Sequence, residues 1–274
     1  MVQTMIGQLN AKRLLKSLKI LPQFIIISGP AGSGKSLFIE NICRTRLNCS
    51  PVVVTSVDDV RAICVDAPVL QEPCAYVLNN FDALNFRTKE AILKLCEEPP
   101  HLVYIFIETR NISKIKQTLL SRAFVFELQP YTKEELMTYC LSLNNLTDRD
   151  SELLVGIYNT PGRILQVSQY NTSKSFLSFC DTVVKNIATV PFSNALKISN
   201  KLKLKSDAVE GYDLDIFFET ISFMALQQSE SLGTDLAYNI IKSCSVILQK
   251  YSQVSTLNKQ MLFDSWVMQI RGLI

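Results

Sequence analysis

The eight residues Gly29, Pro30, Ala31, Gly32, Ser33, Gly34, Lys35 and Ser36 are the part of this chain best suited to chemistry. Gly29 and Gly34 stand at the spacing of a phosphate-binding loop, with the Lys35–Ser36 pair directly after them. In such a loop the glycines let backbone N–H groups turn inward around phosphate oxygens, and the helix that starts there adds the positive end of its dipole. Lys35 is then placed to reach the β- and γ-phosphates of ATP, and the Ser36 hydroxyl to ligate Mg²⁺. A nucleotide hydrolase also needs an acidic residue at a neighbouring strand end to hold the metal, and often a second carboxylate to activate water. The corresponding stretch here is Asn79-Asn80-Phe81-Asp82. The Asn79 amide keeps an oxygen without the charge a hard cation favours, and Asn80 cannot take a proton from water. Losing a general base costs about 10²- to 10⁴-fold in rate, so binding without efficient turnover is expected, unless another carboxylate such as Asp82 approaches the metal.

These residues need elements to hold them. Gln23 to Ser28 is an apolar, β-branched run leading into the loop, and Leu37, Ile39 and Ile42 continue after it with helical spacing. Pro51 to Thr55 reads as a second strand. Val57 to Val65 reads as a short helix that Ser56 or Asp58 could cap. Ala75 to Leu78 is a third strand, Lys89 to Glu97 a helix stopped by Pro99-Pro100, Leu102 to Ile107 a fourth strand and Phe124 to Leu128 a fifth. This alternation predicts an α/β fold with a parallel sheet covered on both faces and a ligand beyond the carboxyl ends of the strands. After Pro130 the apolar spacing is helical almost throughout. The expected organisation is a nucleotide-binding core over 1–130, a small helical lid over 131–172 and an all-helical domain over 173–274, which includes a helix through NALKISNKLKL.

Several function classes fall away on composition. No apolar run approaches the roughly 20 residues that cross a bilayer, and the basic, amphipathic start has no secretory h-region, so a cytoplasmic protein without a membrane partner is expected. The 8 cysteines are scattered with no C-x-x-C pair, and His101 is the 1 histidine. Buried reduced thiols are expected, with no zinc and no Cys-His catalysis. A net charge of +3 permits nucleic-acid binding without arguing for it. Lys197, Lys201, Lys203 and Lys205 read as a solvated helix face, and Arg87 and Lys89 as the better candidates for DNA phosphate contacts.

The stretch FDALNFRTKEAILKLCEEPPHLVYIFIETRNISKIKQTLLSRAFVFEL, together with the strand before it, resembles the bacterial DNA polymerase III clamp-loader subunits of the delta-prime and gamma/tau group. The likeness runs without gaps from Ala75 to Leu128. Ile6-Gly7-Gln8 resembles the adenine-side motif of that family, and Thr160-Pro161-Gly162-Arg163 its sensor 2 turn. The resemblance implies an AAA+ P-loop core, a helical lid and a collar-like oligomerisation domain. It places Asn111 at sensor 1, beside the γ-phosphate, and Arg163 at sensor 2. It makes Arg122, within Ser121-Arg122-Ala123, the arginine that completes the ATP site of an adjacent subunit. Asn79 and Asn80 stand as a degenerate form of its acidic strand-end motif. The four-cysteine zinc module usual in bacterial members is missing, since Cys43, Cys49, Cys64 and Cys74 occupy a much shortened interval. Implied partners are other clamp-loader subunits, a sliding clamp and primer-template DNA in a hetero-oligomer. The favoured expectation is a subunit of delta-prime character that binds ATP and hydrolyses it weakly. The rivals are an active motor ATPase and a scaffold with a vestigial loop.

Overall fold

The computed structural model describes residues 5–81, 84–143, 146–170, 173–204, 211–253 and 258–272. Asp82 and Lys205, named above, lie outside the described residues. The chain divides into two compact units, one of residues 1–139 with 159–162, the other of residues 140–158 with 163–274.

The first unit is built on five parallel strands: β1 (Phe24–Ser28), β2 (Pro51–Val53), β3 (Cys74–Leu78), β4 (Val103–Thr109) and β5 (Phe124–Glu127). Their order across the sheet is β2-β3-β4-β1-β5. Every β1 residue is buried, as expected for a central strand covered on both faces. Strand alternation sorts its side chains. Phe24 and Ile26 enter one core with Val60, Ile63, Ile92 and Leu95. Ile25 and Ile27 enter the other with Ala11, Leu15, Phe38, Ile39 and Ile42. The first core lies under α3 (Val57–Asp66) and α4 (Phe86–Glu97), the second under α1 (Leu9–Ser17) and α2 (Lys35–Ile42). Local signals set the boundaries. Ser56 and Asp59 form a reciprocal capping box at the start of α3. The Asn85 side chain accepts the Thr88 N–H at the start of α4, so that helix begins a turn earlier than the periodicity predicts. Between β4 and β5 a 3-10 turn (Ile112–Lys114) and the short α5 (Gln117–Leu120) flank Ile115, whose extended backbone lets its side chain enter the core.

Helix α6 (Lys133–Ser142) is followed by α7 (Asp148–Ile157) and α8 (Pro161–Ser168). The second unit continues with α9 (Ser173–Asn186), α10 (Phe192–Lys197), α11 (Leu214–Gln227), α12 (Ser229–Leu232), α13 (Thr234–Gln253) and α14 (Lys259–Ile270). Its core is aromatic, with Phe217, Phe218 and Trp266 meeting edge to face. The NALKISNKLKL stripe is a correction. The α-helix ends at Lys197, a 3-10 turn takes over Ile198–Lys201, and Leu202 is buried while bridging to Tyr212. An apolar spacing that continues past a helix end reports burial, not helix.

Six of the eight cysteines have thiols pushed above their ordinary range by burial. Cys43 and Cys244 rise to about 12, and Cys49, Cys96, Cys140 and Cys180 shift the same way. Cys64, on α3, is the exposed one. Among the described residues no group of three or more His, Cys, Asp or Glu is placed to hold a metal ion. Among them, too, no helix is long and apolar enough to cross a membrane.

Candidate nucleotide-binding site

The glycine loop follows β1 and turns into α2. Its entry is fixed by the Gly29 N–H, which donates to the Thr109 carbonyl of β4 at 3.2 Å. At its exit Gly34 adopts φ 88°, a left-handed conformation that favours glycine. As the N-cap of α2 Gly34 brings no side chain to occupy the helix N-terminus.

Three successive loop carbonyls are held by donors from elsewhere in the same unit. The Thr160 hydroxyl donates to Ala31 O at 2.9 Å, the Gly162 N–H to Gly32 O at 2.9 Å, and the Tyr131 hydroxyl to Ser33 O at 2.8 Å. In a planar trans peptide the N–H points opposite to the carbonyl. Pinning these oxygens therefore turns the N–H groups of Gly32 and Gly34 toward the other side of the loop, while the Ser33 N–H donates to the Pro30 carbonyl at 3.3 Å. That is the arrangement an anion needs. The contact at Gly162 has no spare room, since a Cβ there would come within 2.6 Å of Gly32 Cα. Gly162→Ala should therefore shift the loop, cost about 1–3 kcal/mol of stability and weaken nucleotide binding, as unfolding curves and binding titrations on the same protein will show.

Lys35 Nζ donates to the Gly29 and Pro30 carbonyls, both at 2.8 Å. Ser36, one residue on, is exposed. Beside it lies a residue that the sequence reading missed. Glu108, near the end of β4, is 6% exposed and lies near Ser36 and Lys35. Burial raises its pKa, against the lowering effects of Ser36 and Lys35. The donor set fits a metal-bound phosphate: inward N–H groups and a lysine for the anion, a hydroxyl and a carboxylate for a hard cation.

The other residues expected at the site are placed as follows. Gly7 and Gln8 both take left-handed backbone, and the Gln8 amide clasps Gln129, donating to its carbonyl at 2.7 Å and accepting its N–H at 2.8 Å. Ile6, immediately before them, is half-buried. Asn79 and Asn80 are exposed just past β3, with Asn80 at φ 47°. The Asn111 side-chain oxygen accepts the Ser113 N–H and hydroxyl at 2.9 and 2.7 Å, which makes it the cap of the turn after β4. Arg122 is exposed, donates to the Thr118 carbonyl at 2.7 Å and lies 3.7 Å from Glu97. Arg87 is exposed in the first turn of α4, and the Lys89 ammonium lies 5.4 Å from the centre of the Phe81 ring.

Arg163 belongs to the second unit. Its guanidinium meets Asp215 at 2.6 Å and Glu219 at 3.3 Å, both on α11. The arginine side chain is only 13% exposed. Removing one partner of a largely buried pair strands the other charge, so Arg163→Ala should destabilise this unit by about 2–4 kcal/mol, measurable by chemical denaturation.

The family model described as DNA polymerase III, delta subunit, matches residues 52–132. DNA polymerase III subunit gamma of Buchnera aphidicola subsp. Acyrthosiphon pisum (strain APS) is 27% identical over 103 residues, which is 36% of this chain and 28% of that protein. The match thus spans well under half of either. A DNA polymerase III gamma subunit-related protein of Thermotoga maritima aligns at TM-score 0.55 and 13% identity, covering 97% of this chain and 99% of that one. The RuvB Holliday junction branch migration motor of the same organism aligns at TM-score 0.50 and 20% identity, covering 83% and 82%. At these identities the structural likeness establishes the fold.

Proposed function

We propose that the chain is a clamp-loader-like AAA+ subunit of delta-prime character, which binds Mg-ATP and hydrolyses it slowly or not at all; the family match over residues 52–132 and the fold likeness support this reading. It works with other clamp-loader subunits to place a sliding clamp on primer-template DNA. The observation that carries the binding half is the loop itself, whose carbonyls at Ala31, Gly32 and Ser33 are tied back by Thr160, Gly162 and Tyr131. Lys35 neutralises the β- and γ-phosphates and the Ser36 hydroxyl offers a ligand to Mg²⁺. Bound Mg²⁺ supplies charge neutralisation on the phosphate oxygens. The Ile6-Gly7 turn, held by the Gln8 clasp, lines the adenine side.

The hydrolysis half rests on Asn79 and Asn80, since neither amide takes a proton from water. Asn111 serves as sensor 1 and Arg163 as sensor 2, the latter after release from Asp215 and Glu219. Residues 131–172 act as the lid and 173–274 as a collar that assembles with partner subunits in the cytoplasm. Equilibrium ATP binding measured beside steady-state hydrolysis tests the reading. Binding with turnover at least about 10²-fold below that of an active motor subunit is expected. Fast turnover abolished by Lys35→Ala points to a motor ATPase instead, and no binding at millimolar nucleotide points to a scaffold. The double change Asn79→Asp with Asn80→Glu should restore part of the turnover in an assembled ring. It carries a cost of roughly 1–2 kcal/mol for glutamate at the left-handed Asn80 position.

A further inference from the structure

The metal-side carboxylate expected at the end of β3 is missing there, yet a carboxylate stands one strand over at the same level of the sheet. The last β3–β4 pair is Leu78 with Ile107, and Glu108 follows Ile107 directly. Glu108 also pairs in register with Ile27 of β1, two residues before the loop begins. Strand alternation decides which way it faces. Ile105 and Ile107 enter the core under α3 and α4, whereas Phe106 enters the core under α1 and α2. Glu108 shares the Phe106 face, the side on which α2 packs through Phe38, Ile39 and Ile42.

Its surroundings do not account for it as a structural residue. The side chain is more than nine-tenths buried, and its Oε1 has no hydrogen-bond partner. A buried carboxylate with an unpaired oxygen is costly, and an apolar residue would fill a β-strand position more cheaply. A cation next to Ser36 would give that oxygen a partner and remove the cost.

We propose that Glu108 is the acidic metal ligand of this chain, holding the Mg²⁺ of bound nucleotide together with Ser36, directly or through a metal-bound water, in place of the residue lost at Asn79. The inference rests on the nucleotide-binding reading and deepens it. It also separates two roles that active enzymes supply from neighbouring carboxylates. The metal site is kept and moved to β4, while the water-activating base at Asn80 is not replaced. Metal-dependent binding without efficient hydrolysis follows.

The test is the ratio of ATP affinities in millimolar Mg²⁺ and in excess EDTA, measured by calorimetry on the full chain for wild type, Glu108→Gln and Glu108→Asp, with thermal unfolding as the check of folding. Wild type should bind about 10- to 100-fold more tightly with Mg²⁺. Glu108→Gln should keep or improve the affinity in EDTA, because the Lys35 charge loses its competitor, and should lose most of the Mg²⁺ gain. Glu108→Asp should keep part of it. A second readout is Mn²⁺ bound per ATP by electron paramagnetic resonance, which should fall in Glu108→Gln at saturating nucleotide. If Glu108→Gln retains the full Mg²⁺ gain, or if wild type binds ATP with no Mg²⁺ dependence, Glu108 is not a ligand although the nucleotide reading stands. Failure of wild type to bind ATP under either condition overturns both. Should Glu108→Gln not fold, equal Mg²⁺ gains in wild type and Glu108→Asp together with unchanged Mn²⁺ stoichiometry overturn the ligand role.

Discussion

Lys35→Ala should lose ATP binding at concentrations that saturate the wild type. The lysine is held ready by two neutral acceptors, the carbonyls of Gly29 and Pro30, and a phosphate offers it a charged partner instead. A charged hydrogen bond is worth about 1.5–3 kcal/mol, so the expected loss is about 10- to 150-fold in affinity. Calorimetric titration reads it directly, and thermal unfolding reads it again. Nucleotide should raise the melting temperature of wild type and leave that of Lys35→Ala almost unmoved. The lysine also braces the loop, so the two proteins must be compared without nucleotide first. Similar unfolding there, with the ligand effect lost, assigns the change to binding. Equal titrations for the two proteins would mean that the loop holds no nucleotide.

The larger effect belongs to Arg122, and it should appear only in an assembly. An arginine supplied to a neighbouring site typically contributes about 10³- to 10⁵-fold in rate by stabilising charge on the transferred phosphoryl group. In the single chain the guanidinium caps the carbonyl of Thr118 and lies 3.7 Å from Glu97. Both contacts are local, and the two side chains are 43% and 51% exposed. An exposed pair of that kind is worth little, so it restrains the arginine without committing it. Arg122→Ala should leave the ATP affinity and stability of this chain nearly unchanged and depress hydrolysis by the reconstituted complex. Lys35→Ala should instead lose this chain's own ATP binding, with a milder effect on hydrolysis by the complex. Full-rate hydrolysis in a complex that assembles normally around Arg122→Ala would reduce the arginine to the local cap seen in the single chain.

Legibility in the sequence followed the distance over which each signal acts. The phosphate loop was readable because its chemistry is contiguous, from Gly29 to Ser36. The strands were readable within a residue or two because buried parallel strands are short β-branched runs bounded by breakers. Glu108 was not, because a single acidic residue closing an apolar strand says nothing about its neighbours. Its meeting with Ser36 depends on β1 pairing with β4 in one register, a non-local fact. The turn at Thr160 to Arg163 was recognisable as a motif. That its hydroxyl and N–H hold the loop carbonyls depends on a chain return between distant segments. Arg163 illustrates the same limit, since its partners Asp215 and Glu219 lie on a helix that sequence spacing does not connect to it.

The cysteines bear on how the protein can be handled at the bench. The thiolate is the reactive form, and burial disfavours it at Cys43, Cys49, Cys96, Cys140, Cys180 and Cys244. Cys64 stands exposed on α3, on the sheet face opposite the one carrying α2. A maleimide dye at neutral pH therefore finds a native attachment point there without any engineered cysteine. Because that point is remote from α2, the helix that begins at the end of the phosphate loop, a fluorophore on it can follow assembly with other subunits while leaving the nucleotide chemistry unlabelled.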